Sequence, residues 1–274
     1  MFRLLSSELY KLKKTKVFVI CLLLDLVYIL VKLGSNVVSA HMYKTVEAQN
    51  RLIAQYKSLG YDMHTMHQIL KNFTNPSAFD VLCECCAGFL ICGLFVGTFF
   101  AQEYTYGSMR QLVSRGVSRF KIYMGKLFVS WITVITFSLL NIIIYFSSIS
   151  IIFEMGDIPN NFPIYILRYI VTIVLSGLVY ASCAQLLATI TKNIGGVIGF
   201  VAIINICGTG LVAGLDALFN SKFNFDYYWF VSTPFYMLDY SLSNISFAKY
   251  GLFLLICSCV FIMIGYNVYR KQEV

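Results

Sequence analysis

Charge is what this sequence has least of. Asp, Glu, Lys and Arg make up 12% of its 274 residues, well below the roughly 25% usual in soluble domains, while 58% is hydrophobic. That balance excludes a soluble globular protein and points to an all-α, polytopic membrane protein. Acids are scarcer than bases, 13 against 21, for a formal charge of +8. The cations flank hydrophobic runs instead of covering one hydrophilic domain, so they suit anionic headgroups and a cytosolic partner, and nucleic acid is not expected. Histidine occurs three times and proline four. His64 and His67, at i, i+3, lack nearby acid or thiol ligands and read as solvated, so no metal is expected. Pro76, Pro159, Pro163 and Pro234 all fall in the proposed outer segments.

Catalytic signatures are missing too. Neither G-x-S-x-G nor H-E-x-x-H occurs. Gly125-Lys126 resembles the end of a phosphate-binding loop, but Phe120 stands where its first glycine belongs and Leu127 replaces the Ser or Thr that should follow. No catalytic residue is expected, and any uphill movement must draw its energy from another polypeptide. Nine cysteines give no disulfide framework: Cys21, Cys92, Cys183, Cys207, Cys257 and Cys259 lie in apolar runs as small hydrophobes. Cys83, Cys85 and Cys86 cannot all aim at one tetrahedral centre from a single helix, and they read as small residues on a packed helix.

Six apolar runs are long enough for a core of roughly 30 Å at about 1.5 Å per residue. They cover about 17–38, 80–101, 127–153, 164–190, 194–215 and 247–268, and the whole chain, 1–274, forms one transmembrane domain. Residues 1–16 carry five cations, with Phe2, Leu5, Leu9 and Leu12 at near-helical spacing, as in an amphipathic helix lying in the interface. No small-residue cleavage site follows, so this is not a secretory signal. Asp25 and Arg168 are charges inside spans; Asp25 suits a contact with a neighbouring helix or subunit, and Arg168 can snorkel outward or meet Asp80 and Glu84. Residues 39–79 form a mostly helical outer loop. Span five has Gly195 with Gly199 and Gly210 with Gly214, spacings that suit close subunit packing. Residues 216–246 are dense in aromatics beside a span, as at a membrane interface, with Pro234 expected to break any continuous helix.

The stretch 102–126, QEYTYGSMRQLVSRGVSRFKIYMGK, orients the rest. It sets Arg110, Arg115, Arg119, Lys121 and Lys126 against one acid, Glu103. Short basic loops stay cytoplasmic. With both termini inside, the inner segments hold 13 of the 21 Lys and Arg and the longer outer segments hold five. Gly107 and Gly116 bracket a short helix-capable run, Ser108 to Arg115, fit to dock as a rigid lever, with Glu103 placed to hold Arg110 or cap backbone donors.

Glu103, Gly107-Ser108-x-Arg110, Leu112, Ser114, Gly116, Ser118-Arg119 and Gly125-Lys126 together resemble the segment after the second span in ABC-2 type ABC transporter permeases. The six-span layout, the basic N-terminal helix and the long outer loop ending in Asn75-Pro76-x-x-Phe79 extend the resemblance over the chain. Among subfamilies it is most similar to small bacterial peptide-export permeases of bacitracin resistance, lantibiotic immunity and phenol-soluble modulin export. The resemblance implies a homodimer or heterodimer of permeases in a bacterial cell membrane, bound to two cytosolic ATPase subunits that hold ATP and Mg, with amphipathic or antimicrobial peptides as cargo. It implies that Glu103, Gly107, Ser108, Arg110, Leu112, Arg115, Gly116, Ser118 and Arg119 belong to a coupling segment against the ATPase. An ATPase-independent channel, scaffold or peptide-binding immunity protein is the alternative.

Overall fold

A computed structural model describes residues 2–58, 70, 74, 88–153, 162–219, 225–238 and 242–272, and among these there is no strand. Helix α1 (Phe2–Lys14) ends at Thr15, whose extended backbone breaks the chain before α2 (Lys16–Met42). Helix α3 (Val46–Ser58) lies within the expected outer loop. The second apolar run appears as α4 (Phe89–Thr105), and residues 80–87 lie outside the description. The Cys83, Cys85, Cys86 group and His64 and His67 lie outside it as well.

After α4 comes α5 (Ser108–Ser114), then one long rod: α6 (Arg119–Asn141), a π-helical turn (Ile142–Phe146) and α7 (Ser147–Ile152). The rod starts well before Leu127 because Ile122 and Tyr123 already pack into the core, although Arg119, Lys121 and Lys126 in the same turns dilute the local hydropathy. Helices α8 (Phe162–Thr191) and α9 (Ile194–Leu218) follow, separated by a tight turn with Lys192 at φ 52°. Asn193 caps α9 by accepting from the Gly195 amide at 3.0 Å. A 3₁₀ turn (Phe225–Tyr228), α10 (Thr233–Met237) and α11 (Asn244–Lys271) complete the order.

Among the described residues, five helices are long and apolar enough to cross a membrane: α2, the α6–α7 rod, α8, α9 and α11, with α4 as a shorter apolar helix. The bundle is built around α4 and α8. Helix α4 buries residues on every side, among them Phe89, Cys92, Phe95, Val96, Phe100 and Glu103. Helices α2, α9 and α11 leave most of their apolar surface open. A helix apolar all round is stable only in a packed core or in lipid, so the two classes separate inner from outer helices.

Close approach of α4 to α9 depends on glycine. A Cβ at Gly97 would overlap Val197, and one at Gly93 would sit 2.8 Å from Val201. Small residues substitute there for the hydrophobic drive that lipid removes. Serines in the outer part of the rod are satisfied locally: Ser148 donates to the Ile144 carbonyl at 2.6 Å and Ser150 to Phe146 at 2.8 Å.

Candidate functional site

Four charges meet where α1, α4 and α6 converge, the basal end of the bundle. Lys126 Nζ lies 3.0 Å from Glu8 Oε2 and in contact with Glu103 Oε2, and Lys11 Nζ lies 3.0 Å from Glu8 Oε1 and 3.2 Å from Glu103 Oε1. Lys126 and Glu8 are each 1% exposed. Lys126 also stands over the rings of Phe99 and Phe100, at 5.6 and 5.8 Å. Two acids against two bases leave the cluster neutral, which is the condition for burying it. Burial works to raise the Glu8 carboxyl, yet Lys126 and Lys11 outweigh it and hold the group below its ordinary range. Burial works to lower Lys11, and Glu103 and Glu8 together raise it instead. The cluster pins α1 to the ends of two helices more than ninety residues away in sequence.

Beside it, α5 is cut out by two left-handed glycines. Gly107 precedes it at φ 67° and Gly116 follows it at φ 78°, conformations that residues with a Cβ rarely adopt. Of the residues expected to act together here, Glu103 is buried and turned into the charge cluster through Lys11 and Lys126. Arg110, expected as its partner, has a side chain outside the description, as has Ser108. Leu112 packs against the core, Arg115 is exposed, and Ser118 is the residue before α6, without a side-chain cap. Arg119 turns away from α5 and donates to the carbonyls of Arg270 at 2.6 Å and Gln272 at 2.8 Å. Met109, 1% exposed, anchors α5: the Tyr269 hydroxyl lies 3.8 Å from its sulfur.

Within the bundle, Asp25 is 3% exposed and accepts from Asn141 Nδ2 at 2.8 Å, just before the π-helical turn. Asn36 donates to Tyr145 in that turn at 2.7 Å, so the α2 seam with the rod carries two polar links. Among the described residues, an added Cβ at Gly199, Gly210 or Gly214 of α9 meets nothing within 4 Å, and one at Gly195 meets its own cap residue. Arg168 donates to the Leu242 carbonyl at 2.8 Å and to Asn244 Oδ1, and lies 5.4 Å from the Phe247 ring. Asp80 and Glu84, its expected partners, lie outside the description.

The aromatic segment at the opposite, distal end packs into the bundle. Phe230, Val231 and Met237 are buried, and Pro234 stands in the first turn of α10, where its missing N–H is harmless, so it starts a short helix. Asp216 accepts from the amides of Phe225 at 2.6 Å and Asp226 at 3.2 Å, and Tyr180 donates to the Val231 carbonyl at 3.2 Å. Trp229 lies against Gly208, where any Cβ would collide with the indole.

Glu8, Met109, Tyr269 and Gln272 join the site unannounced by any motif, and Lys11 enters it from among the N-terminal cations. Glu8 had a signal: it is the only acid in the first sixteen residues, and it sits between Leu5 and Leu12 on the apolar stripe of α1. Tyr269 and Gln272 had none, since their partners are remote in sequence.

No curated protein matches the chain. A family model described as ABC-2 family transporter protein matches residues 8–267, a span that takes in the charge cluster, α5 and, among the described residues, the membrane-length helices up to the last turn of α11. A multi-pass, all-α membrane protein with this match over nearly its whole length belongs to the ABC-2 family of transporter membrane proteins.

Proposed function

We propose that this chain is the permease subunit of an ATP-driven exporter that moves amphipathic or antimicrobial peptides out of a bacterial membrane or cytoplasm. Membership of the family makes it the membrane subunit of an ABC transporter, a class that works with an ATPase partner. The observation that carries the finer reading is the basal platform: α5, isolated between Gly107 and Gly116, rests on Met109 beside a four-charge cluster of which Glu8, Glu103 and Lys126 are buried. A short helix with a rigid seat and an exposed basic flank at Arg115 is fit to receive a push from outside the bundle. In this reading the basal end is cytoplasmic, α5 docks on the ATPase, and two ATPase copies bind ATP and Mg for a permease dimer. Helices α2 and α9, apolar and open, form the contact between permeases, with Gly199, Gly210 and Gly214 at that contact.

An apolar bundle suits an amphipathic cargo that enters sideways from the membrane, since its interior offers few polar groups to a hydrated solute. The test is reconstitution of the chain with its cognate ATPase in liposomes, read as ATPase turnover with and without amphipathic peptide. Expected are stable co-purification and stimulation by peptide. Normal resistance to peptides in cells lacking the ATPase would overturn the reading in favour of an ATPase-independent peptide-binding protein, and stimulation by small hydrophilic drugs alone would overturn the cargo.

A further inference from the structure

We infer that α8 and α11 form a single lever, fastened at both ends, that carries displacement of α5 to the distal aromatic segment. The inference rests on α5 being the ATPase-facing helix. Its basal fastening is the last turn of α11. Tyr269, fully buried, touches α5 through Met109 and α6 through the Tyr123 ring at 5.8 Å. Phe120 and Tyr123 flank Tyr266 one turn earlier, at 5.4 and 5.9 Å. Arg119 bridges the carbonyls of Arg270 and Gln272, groups that a helix end leaves without intrahelical partners, and a cation there also complements the helix dipole. Gln272 then donates to the Thr189 carbonyl at 2.8 Å, which joins the end of α11 to the end of α8. A push on α5 therefore has a direct route to α11, through Met109 and Tyr269.

Between the ends, α8 and α11 share the most extensive helix contact among the described residues. Gly251 lets Leu175 approach within 3.4 Å of where a Cβ would stand. At the distal end Arg168 of α8 holds Leu242 and Asn244 at the start of α11 and lies over Phe247. The pair also carries the distal segment as a load. Tyr180 and Tyr165 of α8 donate to the carbonyls of Val231 and Leu238, each at 3.2 Å. Tyr228 packs edge-on to Tyr250 and Phe253 of α11, at 5.7 and 5.5 Å. Displacement along a path of about 40 Å, the length of α11 at its helical rise, thus arrives where cargo would leave.

The test has two arms. In the reconstituted complex, Gln272→Ala and Asn244→Ala each remove one side-chain bond, at opposite ends of the pair. Each is expected to cut peptide-stimulated ATPase turnover about fivefold or more, while the ATPase co-purifies and basal turnover holds. Gln272→Lys, which restores a donor to the Thr189 carbonyl, should recover most of the stimulation. Undiminished stimulation in both alanine variants, or loss of ATPase binding in step with it, would overturn the lever. The second arm needs no ATPase. Nitroxide pairs on Ile190 with Lys271 and on Leu167 with Ile245 report the two ends in the chain alone, in liposomes. One narrow distance distribution at each end is expected, and a broad or double distribution at either would overturn a single body. If the wild-type complex shows no stimulation while both distributions are narrow, the exporter reading fails and the rigid pair stands.

Discussion

Lys126 and Glu8, 118 residues apart, bring their charged atoms within 3.0 Å of each other with both side chains 1% exposed. A pair so enclosed cannot lose one member without leaving the other charged and buried. Glu8→Gln or Lys126→Met should therefore destabilise the chain by roughly 3–5 kcal/mol, measured as denaturation in mild detergent. Changing both to apolar residues of similar volume should cost much less, because no uncompensated charge remains. Additive losses in the double variant would show that the two do not act as a pair.

The same cluster gives a pH dependence. Glu8 titrates below its ordinary 4.5 in the folded chain, despite burial, because of Lys126 and Lys11. The folded state thus binds fewer protons than the unfolded state between those two values. Its stabilisation is fully present above about 4.5 and is lost as pH falls through the lower folded value. Thermal unfolding followed downward from neutral pH should show a steeper acid loss in wild type than in Glu8→Gln.

Glycines on two neighbouring helices should behave differently. Gly97→Leu collides with Val197 inside one subunit, so it should impair folding of the isolated chain. At Gly199 and Gly210 an added Cβ meets nothing within 4 Å among the described residues, so Gly199→Leu and Gly210→Leu should leave the chain folded while weakening the proposed permease dimer. Crosslinking yield beside monomer melting temperature separates the cases. Unchanged crosslinking in both α9 variants would remove that helix from the contact.

Gly116→Leu tests the platform. At φ 78° a side chain strains the turn by about 1 kcal/mol or more, and relief would lengthen α5. Insertion should persist, while ATPase stimulation and transport should fall together. Full stimulation in Gly116→Leu would leave the turn without a part in transmission.

Orientation is checked by labelling. Cysteines introduced at Ser58 and Ser221 should react with an impermeant reagent from outside, and one at Ser114 should not, in a background lacking accessible native thiols. Labelling of Ser114 from outside would invert the bundle.

Membrane class, the helical fold and the special place of Gln102–Lys126 follow from the sequence, because hydropathy, charge bias and glycine punctuation are local properties readable along one chain. The four-residue spacing of Gly93 and Gly97 is also legible along the chain, and the bundle uses it where α4 meets Val197 and Val201 of α9. Which partner each group meets is another matter. Glu103 lies in a loop full of arginines, yet its carboxylate joins Lys11 and Lys126, since three helices converge on it and bury it there. Gln272 ends the described chain and reads as a polar tail, but the packing of α8 on α11 sets its amide against the Thr189 carbonyl. Pro234 reads as a breaker, and the bundle uses it to start α10. Contacts between residues a hundred positions apart depend on how rods stack in three dimensions, and no pattern of spacing along the chain encodes that stacking.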